Sequence, residues 1–180
     1  LSAKALLISP PQLLSVSNHL YGTHIAITWA KSNDAEKYIV GRAANSSSPL
    51  TIIDTCTDTF YNDSTVSSQS TFWYAVAAIK GTMTSDWSAR RSGAKLPAPI
   101  IHNATGNELY IHLIWEDQGN APKFYIYRSD SGDGPYMKID STTIEYYMDT
   151  VQSGIPYFYK VSAVNLNESE LSQYDSARLK

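Results

Sequence analysis

The chain has 180 residues and a formal charge of −3, which disfavours a nucleic-acid partner because phosphate contacts need clustered Lys and Arg. The hydrophobic fraction is an ordinary 43%, and no run of about twenty apolar residues is present to cross a bilayer as a helix. Aromatic residues are plentiful (thirteen Tyr, four Trp, four Phe) and apolar heptads are absent, which turns the reading from helices towards strands.

In chain order, Leu1–Ser9 lacks an initiator Met and is too short to span a membrane, so residues 1–9 are read as a leader fragment of a preceding region. A proline-led entry (Pro10, Pro11) then introduces a short strand, Leu13 to Val16. His24-Ile25-Ala26-Ile27-Thr28-Trp29 alternates and predicts a half-buried strand. A polar turn at Ser32-Asn33-Asp34 leads to the strand Tyr38-Ile39-Val40-Gly41-Arg42. Asn45 to Ser48 turns the chain again. A short strand over Leu50 to Ile53, a Thr-rich strand reaching Asp63, the run Phe72-Trp73-Tyr74-Ala75-Val76-Ala77-Ala78 and a last strand complete the set.

The same order then repeats. Trp115 lies 86 residues after Trp29. Phe124-Tyr125-Ile126-Tyr127-Arg128 and Tyr147-Met148-Asp149 follow their counterparts at that offset, and Tyr157-Phe158-Tyr159-Lys160-Val161-Ser162-Ala163 follows one residue closer. Ser85-Asp86-Trp87-Ser88 meets Glu170-Leu171-Ser172 more loosely. Self-similarity at a fixed period marks tandem units, here 10–95 and 96–180, with Gly93 to Pro99 as the proline-stiffened join. About seven short strands in about 85 residues suits a two-sheet sandwich. Alternation sends Trp29, Trp115, Tyr157 and Tyr159 to the cores.

These residues resemble fibronectin type III domains of the bacterial type. The resemblance lies in Trp29 and Trp115, in Tyr38-Ile39-Val40 and Phe124-Tyr125-Ile126, and in the Tyr-x-Val-x-Ala runs. It implies an all-β fold of two consecutive seven-stranded immunoglobulin-like sandwiches. It also implies a non-catalytic module of a larger secreted or cell-surface protein, acting as spacer or protein-interaction unit. Val151 to Tyr157 resembles the family's tyrosine corner, where a Tyr hydroxyl returns to a backbone group upstream. Phe72 stands at the matching place in the first unit, so the resemblance implies a corner weaker there by about 0.5–1.5 kcal/mol.

The functional candidates are few. If Phe124 and Ile126 face inward, Tyr125 and Tyr127 face outward, and Phe158 with Lys160 joins them from the neighbouring strand. Tyr125, Tyr127 and Phe158 then form an aromatic patch able to bind a protein or a carbohydrate. The first unit offers a thinner version with Ile39, Gly41 and Trp73. Asp130-Ser131-Gly132-Asp133-Gly134 holds two carboxylates but lacks the spacing of a calcium loop and reads as a turn. His19, His24, His102 and His112 form no catalytic pattern, and no cofactor or metal is implied. Cys56, the single cysteine, forms no intrachain disulfide and reads as a buried thiol. Asn45, Asn62, Asn103 and Asn167 head Asn-x-Ser/Thr triplets, which matter only in a secretory eukaryote.

Overall fold

A computed structural model describes residues 8–180. Residues 1–7, most of the expected leader, lie outside the described residues. The two that are described belong with the first unit: Ile8 packs on its core, and Ser9 accepts a bond from the Ser32 hydroxyl. The chain forms two compact units. The first runs to Asn18 and resumes over His24–Lys95; the second takes His19–Thr23 with Leu96–Lys180.

The first unit is a sandwich of two antiparallel sheets. In the smaller, β2 (Ile25–Trp29) lies between β1 (Leu13–Val16) and β5 (Phe60–Asp63). In the larger, the order is β4 (Thr51–Cys56), β3 (Lys37–Ala43) and β6 (Thr71–Lys80). Beyond β6 come β7 (Met83–Thr84) and β8 (Arg91–Ala94), each paired with it. Alternation sets the burial: Ile25, Ile27 and Trp29 point into the sandwich, facing Tyr38, Val40, Tyr74 and Val76. Trp29 meets Tyr38 edge to face at 5.5 Å between ring centroids.

The second unit repeats this plan. β10 (Ile111–Glu116) lies between β9 (Ile100–Gly106) and β13 (Tyr146–Asp149). The larger sheet runs β12 (Met137–Thr142), β11 (Lys123–Ser129), β14 (Tyr157–Val164) and β15 (Asp175–Ala177). Ile111, Leu113, Trp115, Phe124, Ile126, Tyr159 and Val161 fill the interior, and Trp115 meets Phe124 edge to face, again at 5.5 Å. The unit has the seven strands expected. The first carries the two-residue β7 in addition, because β6 continues into a hairpin turned at Gly81, whose φ of +56° suits glycine.

The strand after the repeated aromatic run is built the same way in both units. Ser85 and Ser88 hydroxyls accept the backbone N–H of Ala78 and Val76; Ser169 and Ser172 hydroxyls accept those of Ala163 and Val161. Each serine thus satisfies a buried strand donor where the ladder has no partner. Ser85-Asp86-Trp87-Ser88 therefore aligns with Ser169-Glu170-Leu171-Ser172, one residue longer than the match visible in sequence.

The tyrosine corner is corrected. The hydroxyl that returns upstream is that of Tyr159, and it reaches a side chain: it donates to Asp149 Oδ2 at 2.8 Å, and Arg128 Nη1 holds the same oxygen at 2.8 Å. Tyr157 supplies its ring, with the Arg128 guanidinium 5.1 Å from its centroid. The first unit has the same brace. Tyr74 donates to Asp63 Oδ2 at 3.0 Å, Arg42 binds that oxygen at 2.7 Å, and Arg42 lies 5.1 Å from the Phe72 centroid. Phe72 therefore forfeits nothing, because its position is filled by a ring in both units and the hydroxyl comes from two residues further on. One difference remains. Thr65 gives Asp63 two more bonds, from its backbone N and its hydroxyl, whereas Val151 stands at the corresponding place in the second unit.

Candidate interaction face

Burial alone would raise the Asp63 carboxyl, but its bonds from Thr65, Arg42 and Tyr74 hold it below the usual range. Tyr74 and Tyr159 are pushed above the usual tyrosine value, mainly by burial and then by Asp63 or Asp149. Burial, followed by Asp54 and Asp58, raises the Cys56 thiol, so it stays protonated at neutral pH. His102 pairs with Glu116 at 3.2 Å, and His112 meets the Tyr146 ring edge-on. Burial and then Lys95 lower His24. Among the described residues no group of three His, Cys, Asp or Glu is placed to hold a metal. The Asp130–Gly134 segment is bonded as a turn: Gly134 N donates to Ser131 O, and Ser131 N to Ser129 Oγ.

The outward face of the larger sheet in the second unit is different in kind. Strand register aligns Lys138, Tyr127 and Lys160 in one row across β12, β11 and β14. Tyr125 and Phe158 lie on the same face, and all three aromatic rings are half-buried rather than open. Two ammoniums flank Tyr125, Lys138 at 3.9 Å from its centroid and Lys123 at 5.2 Å. Lys160 stands 4.7 Å over Tyr136, and Phe158 meets Tyr174 edge-on at 5.5 Å. The Tyr127 hydroxyl donates to Glu168 Oε1, which also accepts the Ser162 hydroxyl. Burial, with that bond next in weight, raises the Tyr127 hydroxyl to about 12.

The patch read from sequence as exposed rings is therefore a layer of rings and lysines. Tyr136 and Tyr174 escaped the reading of the outward face because each stands just before a strand begins, where alternation gives no direction. Lys138 was legible in principle, as the residue after Met137 on an edge strand, but its lean onto Tyr125 is not encoded by period. In the first unit Trp73 is half-buried. It lines a shallow depression of about 390 Å³ with Leu14, Val16 and Arg91. Gly41, at the Tyr127 position, is glycine for a packing reason: a Cβ there would lie 2.9 Å from the Trp87 ring. Of the Asn-x-Ser/Thr positions, Asn45, Asn62 and Asn103 are exposed, whereas Asn167 is half-buried with its amide hydrogen-bonded.

In each unit an outer strand, the Trp strand and the strand reaching the brace Asp form one sheet, and the remaining strands form the other. This is the fibronectin type III fold, present twice in tandem. No family model matches the chain, and no curated protein does. Among solved structures, the chain is similar to an Fn3-like protein from Clostridium thermocellum. Identity is 28%, over 49% of this chain and 93% of that one, with a TM-score of 0.46. It is also similar to the chicken CNTN1 FN1–FN3 domains, at 14% identity over 96% of this chain and 69% of that one, with a TM-score of 0.43. A two fibronectin type III domain segment from chicken tenascin matches at 14% identity over 94% and 99%, again with a TM-score of 0.43.

Proposed function

We propose that this chain is a non-catalytic tandem module of a larger secreted or cell-surface protein, with units at 10–95 and 96–180, acting as spacer or protein-interaction unit. The observation that carries this is the duplicated brace. Strongly perturbed ionisable groups are where an active site is sought. Here the most perturbed ones, Tyr74 and Tyr159, occur once per unit at matching positions, inside each sandwich and each donating to a carboxylate. A device repeated with the fold serves the fold.

The interaction reading is favoured by the second unit's outward face. Tyr125, Tyr127 and Phe158 stand where the first unit has Ile39, Gly41 and Trp73. A protein suits that face better than a stacked sugar, because a sugar needs an open ring face and lysines already cover Tyr125. Intact chain and Tyr125→Ala, matched for thermal melting, are immobilised and probed with secreted proteins and a glycan array. Retention by the intact chain that the variant loses supports the interaction unit. Equal retention by both removes the face from the reading, and no retention by either leaves the spacer.

A further inference from the structure

The lysines on this face have no assigned role. Among the described residues none of Lys123, Lys138 and Lys160 forms an ion pair. Each instead lies over a tyrosine ring, which gives its ammonium a direction. Of the carboxylates near this face, Glu168 is committed to Tyr127 and Ser162, and Asp133 lies near the Tyr136 hydroxyl and, after burial and Tyr174, helps to raise it.

The fold does not require this arrangement, and the first unit is the control. Strand register puts Ile52 where Lys138 stands, Ala75 where Lys160 stands, and Ile39 and Gly41 for Tyr125 and Tyr127. The same sheet forms there with one lysine, Lys37, at the Lys123 position. Nor is the face an overflow of a basic domain. Residues 97–180 carry six basic and eleven acidic side chains, a net −5, yet half of the basic ones stand together here.

We propose that this face docks an acidic polypeptide segment of a partner protein, whose carboxylates bond to Lys123, Lys138 and Lys160. The proposal rests on reading this face as an interaction surface. Carboxylate and ammonium form charge-assisted hydrogen bonds, and an ammonium already held over a ring loses little freedom in making one. The spacing suits an extended chain. Lys138 and Lys160 flank Tyr127 on adjacent strands, so their backbones lie roughly 10 Å apart, the span of about three extended residues.

The test uses the intact chain and a fluorescein-labelled deca-glutamate peptide, followed by anisotropy. Binding should weaken at least about fivefold between roughly 0.05 and 0.3 M salt, as screening requires. Lys138→Gln with Lys160→Gln should weaken it at least about tenfold, the scale of charge-assisted bonds lost at two sites. Lys138→Arg with Lys160→Arg, which keeps the charges, should stay within about threefold. Lys31→Gln with Lys37→Gln removes equal charge from the first unit and should leave binding unchanged.

No binding by the intact chain, or equal weakening by the two Gln pairs, overturns the proposal. So does tighter binding of heparin than of the peptide at matched salt, which assigns the face to a sulfated glycan. Should secreted-protein retention be lost in Tyr125→Ala but kept in the Lys138→Gln, Lys160→Gln chain, the interaction face survives and the acidic partner falls. Retention kept in both removes the two readings together.

Discussion

Tyr159→Phe isolates the brace of the second unit. The variant keeps the ring, which is fully buried against Trp115 and its neighbours, and deletes one oxygen. What is lost is a 2.8 Å bond to Asp149, whose carboxylate is also held by Arg128. A hydrogen bond to a charged group contributes about 1.5–3 kcal/mol, and the carboxylate left behind is buried, so the upper half of that range is expected. Tyr74→Phe should cost less, near about 1.5 kcal/mol, because Thr65 still supplies Asp63 with two bonds. Tyr157→Phe should cost under about 0.5 kcal/mol, since the ring beneath Arg128 is unchanged. Native-state hydrogen exchange on the intact chain reads each unit separately. Tyr159→Phe should speed the slowest amides of β10 and β14 roughly 45- to 160-fold and leave those of β2 and β6 alone. A Tyr157→Phe cost equal to or above that of Tyr159→Phe would refute the brace and restore the corner at Tyr157.

Two further predictions concern the cores and the pH range. Trp115→Ala should cost about 3–5 kcal/mol by cavity formation. Trp115→Phe should cost less than half as much in urea denaturation, because the indole N–H of Trp115, like that of Trp29, is buried without an acceptor among the described residues. The pH dependence has two limbs. Asp63 has a lowered folded value, so its contribution is present above about pH 4 and fades as pH falls through that lower value. Tyr74 and Tyr159 have raised folded values, so theirs is complete below about pH 10 and fades as pH rises beyond it. The urea midpoint should be flat only between about pH 6.5 and 9, because the lowered His24 adds a loss below that window and the raised Cys56 thiol adds one above it. Tyr74→Phe with Tyr159→Phe should reduce the alkaline limb. An alkaline limb unchanged in that double variant would count against the assignment.

The sequence carried the architecture because period and offset are one-dimensional signals. Trp29 and Trp115, Asp63 and Asp149, and Tyr74 and Tyr159 could all be paired by counting. Alternation also decides inward from outward, and it placed Trp29, Trp115, Tyr157 and Tyr159 on buried positions. What period cannot give is depth along a strand. Tyr157 and Tyr159 share a face, and only the level of the Asp149 carboxylate decides which hydroxyl reaches it. Nor can period show what covers an outward ring. Lys138 leans diagonally onto Tyr125 rather than onto Tyr127, its neighbour in register, and this turned an expected open patch into a mixed one. Gly41 reads in sequence only as a thin place on the first unit's outward face, whereas it is the floor on which Trp87 lies.

A duplicated fold supplies its own control, and that decides which features to ascribe to folding. The indole in each core, the Arg–Asp–Tyr brace and the paired serines of Ser85–Ser88 and Ser169–Ser172 recur in both units at matching places. The physical reason for each is local: a core to fill, a carboxylate to satisfy, strand donors left without a ladder. The outward faces share no such need, because water satisfies them at no cost. There the units diverge, with Ile52, Ala75 and Gly41 in one and Lys138, Lys160 and Tyr127 in the other. Concentrating like charges on a domain of opposite sign is explained by what the face meets, and an acidic segment is the partner that this charge pattern selects.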